Sequence, residues 1–435
     1  MTQDTLLDMP ATANTLPLPS ERDWAARLRG EIEGNVLPWW RGAMFDADGS
    51  VLGGRANDGT PLDVARSAVL GTRLLWTFAS AQTRLTPEPR NAEAAHRAWH
   101  WLRGRLVDPV HGGVFWSVGA TGEPIADHKQ VYAQAFAIYA LTAYHRMLCA
   151  EQKTPASGDS PALELALQLM ALIEAHAHDP LEGGYFEGCT RHWQVLAGAR
   201  LSDLEPPAPK STNTSLHVLE AYTELLRCRR SDLLAQRLRD LIEIFLTRLW
   251  LPAQRCFGLF FDREWRNQTS QVSWGHDIEA AWLLVRACDV LGDDALRQRA
   301  VDLSLQVADA VLAQGIHEDG SLLGEGSFDG RVTDDRRHWW VQAEAMVGFW
   351  DIWQLRGRAR HAEAARRNWQ YIERHHIDRE GGDWFKVLDA QGRVIQAIPK
   401  AGPWECPYHH VRAGLEMHER LLGLDRHDAA RGERR

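Results

Sequence analysis

The stretch Ser273-Trp274-Gly275-His276-Asp277-Ile278-Glu279 sets a histidine three residues before a glutamate. That spacing puts both side chains on one face of a helix. Beyond them Ile278, Ala281, Trp282 and Val285 recur at helical intervals, so the polar pair stands at the mouth of an element whose other side is core. Histidine is the side chain whose unperturbed pKa lies closest to neutrality. On a rigid base, with a carboxylate beside it, it is equipped for acid and base work. Over this stretch alone, a helix-capping histidine paired with its own glutamate reads equally well.

Comparable groups stand at the starts of other apolar segments: Tyr132 and Gln134; Asn213 and His217, one turn apart; Trp339, Trp340 and Glu344; Tyr408, His409 and Arg412. Arg73 interrupts the apolar run Gly71 to Phe78, and a charge there needs a partner or a ligand. Glu344 could serve as that partner. Taken singly, His217 reads as a hydrogen-bonded core histidine and Trp339-Trp340 as packing. Three histidines, two acids, an arginine and several tryptophans at equivalent places in successive segments instead point to one shared site. Three imidazoles and a carboxylate could ligate zinc, but there is no HExxH helix and no histidine pair at ligand spacing, so metal catalysis is the weaker option. No GxGxxG follows a strand, and neither a P-loop nor a GxSxG elbow occurs. What remains is metal-free acid and base chemistry by histidines near neutral pH.

The elements that must position these groups follow a repeat. An amphipathic helix, a turn rich in glycine and aromatic residues, and a second, more apolar helix recur. The turns begin near Asp48, His111, Glu182, Cys256, Asp319 and Glu380, roughly every 60 to 75 residues. Six turns, each flanked by two helices, give about twelve helices. Closing the units into a ring removes the exposed ends that an open stack must cap. The expectation is therefore an all-α (α/α)6 barrel, or toroid, although an open helical solenoid has the same periodicity. Helices before the turns carry charge on one side, while those after them are apolar nearly all round, so the latter should be inner. Their N-terminal ends should then open onto a common cavity. Residues 1–20 read as a disordered lead, 21–424 as a single catalytic domain and 425–435 as a charged tail.

Composition narrows the class. Hydrophobic content of 45% and charged content of 25% suit a soluble globular protein of 435 residues. A net charge of -9 with scattered Lys and Arg leaves no footprint for nucleic acid. No signal peptide h-region and no long apolar run is present, so a cytoplasmic protein without membrane contact is expected. Six scattered cysteines, with no CxxC, read as reduced structural thiols. Nineteen tryptophans are not ordinary; most must serve a helical core of large residues, but their flat faces also suit sugar rings.

Residues 127–136 (DHKQVYAQAF), 213–222 (NTSLHVLEAY), 273–284 (SWGHDIEAAWLL), 339–344 (WWVQAE) and 404–409 (WECPYH) together resemble the N-acylglucosamine 2-epimerase superfamily, in its cellobiose 2-epimerase-like branch. The likeness runs from Val36 to about Met417. It implies an (α/α)6 barrel and cofactor-free sugar epimerisation or isomerisation. By that likeness His276 and His409 match the acid/base pair and His217 a third site histidine concerned with ring opening. Arg73, Tyr132, Asn213, Glu279, Trp339, Glu344 and Trp404 match residues that hold the sugar. Two positions depart from the family pattern: Glu405 stands where lysine is usual, and His410 where asparagine is usual. The implied reaction interconverts a reducing-end glucose and mannose residue, as in cellobiose to glucosyl-mannose. It needs one base to take the C2 proton of the opened sugar and an acid on the other face to return one. Glu279 could orient His276, and Arg73 could stabilise the enediolate. Alternatives are a mannose 2-epimerase, a mannose/fructose isomerase, an (α/α)6 glycoside hydrolase using Glu279 and Glu344, and a non-catalytic scaffold. The expected partner is a small sugar, with no cofactor, and the chain a monomer or weak homodimer.

Overall fold

A computed structural model describes residues 20–423. The expected lead and charged tail lie outside the described residues, save Ser20, whose hydroxyl caps the first helix by accepting from Asp23 N. In chain order, α1 (Glu21–Glu31) runs through a π-helical turn, Ile32–Val36, into α2 (Leu37–Ala43). There follow α3 (Ala68–Arg84), α4 (Pro89–Trp101), α5 (Val131–Gln152), α6 (Pro161–His176) and α7 (Thr212–Cys228). The remainder are α8 (Asp232–Ile244), α9 (Trp274–Leu291), α10 (Asp294–Gln314), α11 (Trp339–Arg356), α12 (Ala359–Tyr371) and α13 (Tyr408–Leu421).

Helices α3, α5, α7, α9, α11 and α13 each pack on the next, and α13 packs back on α3, which closes the ring. The α1–α2 rod and the even-numbered helices from α4 lie outside them. This is the (α/α)6 toroid, with the helices that follow the turns on the inside as their all-round apolarity requires. Along α3, every residue from Ala68 to Ala81 is buried. Serine or aspartate side chains cap α3, α6, α7, α8 and α10, and Gly292 and Gly357 end α9 and α11 in the left-handed conformation.

The turns have their own chemistry. In Asp108-Pro109-Val110-His111-Gly112-Gly113 the aspartate accepts from the amides of Val110 and His111, and both glycines take positive φ (67° and 73°). A side chain at Gly113 would meet the Trp193 ring at 2.6 Å. Asp179 and Asp378 repeat the arrangement. Each of the three aspartates is paired with a buried lysine, Lys129 at 3.0 Å, Lys210 at 3.0 Å and Lys400.

Strands of two or three residues, absent from the expected all-helical picture, tie the repeats together. Arg66–Ser67, leading into α3, pairs with Ser117–Val118 of the next turn. The lead-ins of α5, α7, α9 and α11 pair likewise with Gly188–Cys189, Phe260–Phe261, Glu325–Ser327 and Val387–Leu388. The sixth tie is the bridge between Arg55 and Ala401, which joins the first turn to the lead-in of α13. At the C-terminal ends of the inner helices, Arg84 and Arg286 bond to Glu224, Glu416 and Glu419 and fill the axis with paired charges. The open space lies at the other end, above the helix N-termini.

Candidate active site

Three histidines gather there, each fixed through Nδ1 by a different partner. His409, on the first turn of α13, is 2.8 Å from Glu344 Oε1 on α11. His217, on α7, is 3.1 Å from Glu220 Oε2. An ionised carboxylate only accepts, so in both pairs Nδ1 is the donor and Nε2 is left facing away from the carboxylate. His276, on the first turn of α9, is held at 2.8 Å by the Ser273 hydroxyl. The Trp340 ring packs against both His276 and His409, with centroids 4.8 and 5.5 Å away, so the two imidazoles share one aromatic neighbour.

On the α3–α5 side, Arg73 is buried with its guanidinium 4.2 Å from the centroid of Phe136 and 4.8 Å from that of Tyr408. It donates to Tyr132 Oη at 2.7 Å and to Cys406 Sγ at 3.3 Å. Tyr132 packs edge-on against His217 (4.9 Å) and Trp404 (5.7 Å).

Beneath the imidazoles lies a bed of three buried carboxylates joined by Arg412 of α13. Its Nη1 donates to Glu220 and Tyr408, and its Nη2 to Glu279 and, at 2.7 Å, to Glu344. Trp282 Nε1 completes Glu344 at 3.1 Å, and the Tyr408 hydroxyl donates to Glu220 at 2.6 Å. The Oε2 of Glu279 is buried without a hydrogen-bond partner. Glu279, Glu344 and His409 offer ligand atoms within 4.8 Å of one another, a spacing a metal ion could use. Arg412, donating to both carboxylates, already sets a fixed cation at that point.

Burial dominates the titration of the cluster. It pushes His276 down to about 3, with His217 adding a smaller push, and takes His409 well below the usual imidazole range, with Arg73 and Arg412 adding to the effect. Both imidazoles are therefore neutral in the sugar-free site. Burial, then Glu344, raises Glu279 to about 7 against the pull of Arg412. Burial works on Glu220 in the same sense, but Arg412 and the His217 bond outweigh it and hold that carboxyl down at about 2.

A cavity of about 650 Å³ adjoins the cluster, walled by Asn213 and His276 and reaching past Gln271 to Glu205, Glu325, Asp334 and Arg336. Asn213 Oδ1 is buried without a partner.

The expected residues do converge, with partners different from those their spacing suggested, except Gln134, whose amide is spent on the backbone of Val114 and Gln130. Glu279 does not hold His276; its partner is Arg412, and its nearer imidazole is His409, 4.0 Å away. Glu344 does not pair with Arg73 but carries His409. Trp339 lies edge-on to His409 at 6.4 Å with Lys386 over its ring, while its neighbour Trp340 is the residue that packs against both imidazoles. Glu220, the Ser273 bond to His276 and the hub role of Arg412 were missed. Glu220 was within reach of sequence reasoning, since it stands three residues after His217, the spacing already noted for His276 and Glu279. His410, where asparagine is usual, bonds buried Asp383 at 2.8 Å, and Asp383 also holds Lys386.

The family model of N-acylglucosamine 2-epimerase matches residues 54–413. The chain belongs to the N-acylglucosamine 2-epimerase family. It is 36% identical to a cellobiose 2-epimerase of Bacteroides fragilis over 90% of this chain and 97% of that one. Its structure matches the cellobiose 2-epimerase of Bacillus thermoamylovorans B4167 with a TM-score of 0.84 and 33% identity, covering 92% of this chain and 100% of the other. A D-mannose isomerase structure matches with a TM-score of 0.79 at 19% identity over 93% of this chain and 100% of that one, a likeness of fold alone. As a member of this epimerase family the chain is an isomerase acting on sugars. No helix among the described residues is long and apolar enough to cross a membrane.

Proposed function

We propose that this epimerase interconverts glucose and mannose at the reducing end of a β-1,4-linked disaccharide, cellobiose giving glucosyl-mannose. The observation that carries the reading is the pair His276 and His409, on separate helices, sharing Trp340 as a neighbour beside a cavity large enough for a second sugar ring. The relatives named for cellobiose lend their support.

The chemistry runs through the open-chain aldehyde, because only there does a carbonyl next to C2 acidify its proton. His217 takes the O1 proton and hands one on to the ring oxygen as the C1–O5 bond breaks, so the open-chain aldehyde forms with His217 unchanged. One of His276 and His409 then removes the C2 proton, and the C–H electron pair moves through C1=C2 onto the carbonyl oxygen. Arg73 stabilises that oxyanion. The other imidazole, neutral in the empty site and protonated from solvent as the sugar enters, delivers its proton to C2 from the opposite face, and the aldehyde re-forms with inverted configuration. One proton is taken and one returned, so the two histidines exchange roles on each turnover. Tyr132, Asn213 and Glu279 bond sugar hydroxyls, Trp339, Trp340 and Trp404 frame the rings, and Glu344 keeps the Nε2 of His409 pointed at its target. Return of the proton to C1 by the first base would give a ketose instead.

We further take residues 21–424 as one catalytic unit working in the cytoplasm as a monomer or weak homodimer. The six cysteines, all free and buried, suit a reducing compartment. Incubation with cellobiose in deuterated water tests the reading: glucosyl-mannose carrying deuterium at C2 is expected. Unconverted, unlabelled sugar refutes it, and a labelled ketose as main product would replace epimerisation by isomerisation.

A further inference from the structure

The three site histidines are not backed alike. His276 leans on a serine, whereas His217 and His409 each lean on a buried glutamate, and those two glutamates share one arginine. We propose that Arg412 is a positioning residue that couples His217 and His409 into a single unit, its Nη1 serving the glutamate behind one imidazole and its Nη2 the glutamate behind the other. This inference rests on the epimerase reading above.

The geometry makes the coupling specific to arginine. The guanidinium is a planar fork whose two ends carry separate donors. One end reaches Glu220 on α7, and the other reaches Glu279 on α9 and Glu344 on α11. Its plane is fixed by rings packed on it, Tyr408 at 4.5 Å and Trp282 at 4.9 Å. A lysine would bring the same charge as a single point and could not hold carboxylates on three helices at once. The two Nη groups of Arg412 are spent on Glu220, Tyr408, Glu279 and Glu344, so it acts through the glutamates and not on sugar.

A purely structural ion cluster would look similar, but it would not need to grip the histidines. Here each carboxylate oxygen set divides its bonds between Arg412 and an imidazole Nδ1, so a proton gained at His409 draws on Glu344 and changes what the guanidinium can give Glu220. The ring-opening group and the C2 base thereby sense one another's charge across the site. Double-mutant logic applies: residues acting as one unit lose activity non-additively.

The test uses the full chain with cellobiose, Glu220→Gln, Glu344→Gln and the double variant, with Arg412→Met and Arg412→Lys beside them. Each single glutamine substitution is isosteric and should lower kcat roughly 10–100-fold, the range for groups that orient a reacting side chain. KM should stay within about twofold, since uniform sugar binding is untouched. The double variant should lose little more than the worse single one, and Arg412→Lys should fail to restore the wild-type kcat. Losses that multiply in the double variant, effects confined to KM, or wild-type kcat in Arg412→Lys would overturn the proposal. Should Arg412→Met not fold, the glutamate cycle still decides. A wild-type chain inert toward cellobiose would instead count against the epimerase reading, so the two failures are distinct.

Discussion

Asp277 offers a perturbation whose size can be worked out in advance. It follows His276 on α9, is 1% exposed, and its Oδ1 accepts from Phe257 N at 2.9 Å. Burial, only partly offset by that backbone bond, raises its carboxyl to about 8. The folded chain therefore holds a proton there that the unfolded chain releases near 3.8. For an acid with a raised folded pKa, stability is full below the unfolded value and falls as pH rises toward the folded one. At about 1.36 kcal/mol per unit, the cost is about 2 kcal/mol at pH 5.5 and about 4 kcal/mol at pH 7, levelling off near pH 8. Asp277→Asn keeps the acceptor and removes the cost, while unmet amide donors take back about 1–3 kcal/mol. The fold already uses a neutral amide for this task elsewhere. Gln134 and Gln342 accept from Val114 N and Leu322 N while donating to the carbonyls of the same two residues. Asp277→Asn should therefore be more stable than the wild type at pH 7 by about 1–3 kcal/mol, or about 2 °C in melting temperature per kcal/mol. The gap should widen by about 2 kcal/mol between pH 5.5 and 7. Denaturant titrations at the two pH values measure both quantities. A variant no more stable at pH 7, or a gap that does not grow with pH, would refute the assignment of a proton to this carboxyl.

Further outcomes follow from the same geometry. His276→Asn and His409→Asn should each cost roughly 10²–10⁴ in turnover with circular dichroism unchanged; a variant within tenfold of wild type removes that residue from proton transfer. Gly275→Ala would set a methyl 2.7 Å from the Trp340 ring and 2.8 Å from Val341. It should depress kcat/KM through a displaced Trp340 more than it alters melting, and full activity would show that Trp340 does not frame the sugar. Lys386→Met strands Asp383, whose other side-chain partner is His410, in a fully buried site. The expected loss is about 3–5 kcal/mol, recovered in part by adding Asp383→Asn, and an unchanged melting temperature would rule it out.

What the sequence made legible is what repeats at short range. Apolar periodicity after each glycine-aromatic turn marked the inner helices, and polar residues at their starts marked the site, because both patterns live within a few turns of one helix. Pairing across the ring does not. His276 and Glu279 share a helix face yet bond to Ser273 and Arg412, whereas His217 and Glu220, at the same spacing, bond each other. The difference lies on α13: Arg412 reaches Glu279 across 133 positions of sequence, and Glu344 meets His409 across 65. Nor do two-residue strands such as Lys210–Ser211 carry a period of their own. They exist because a neighbouring turn presents a matching edge, a fact of the closed ring alone. The unusual His410 became intelligible only beside Asp383, which it reaches from the adjoining repeat.

The two cations of the site show how closure and chemistry coincide. Arg73 comes from α3, the first inner helix, and ties it to Tyr132 on α5 and to Cys406 at the lead-in of α13. Arg412 comes from α13, the last, and ties it to α7, α9 and α11. Between them the first and last inner helices hold all six, and α13 itself is anchored through the Arg55–Ala401 bridge beside Cys406. Each arginine is buried, so neither can keep its charge without partners that only the closed ring supplies. An open form of the chain would leave Glu220, Glu279 and Glu344 without their shared counter-charge and His409 without an oriented Nδ1. The helical ring thus brings its imidazoles into working order in the same step that completes its core.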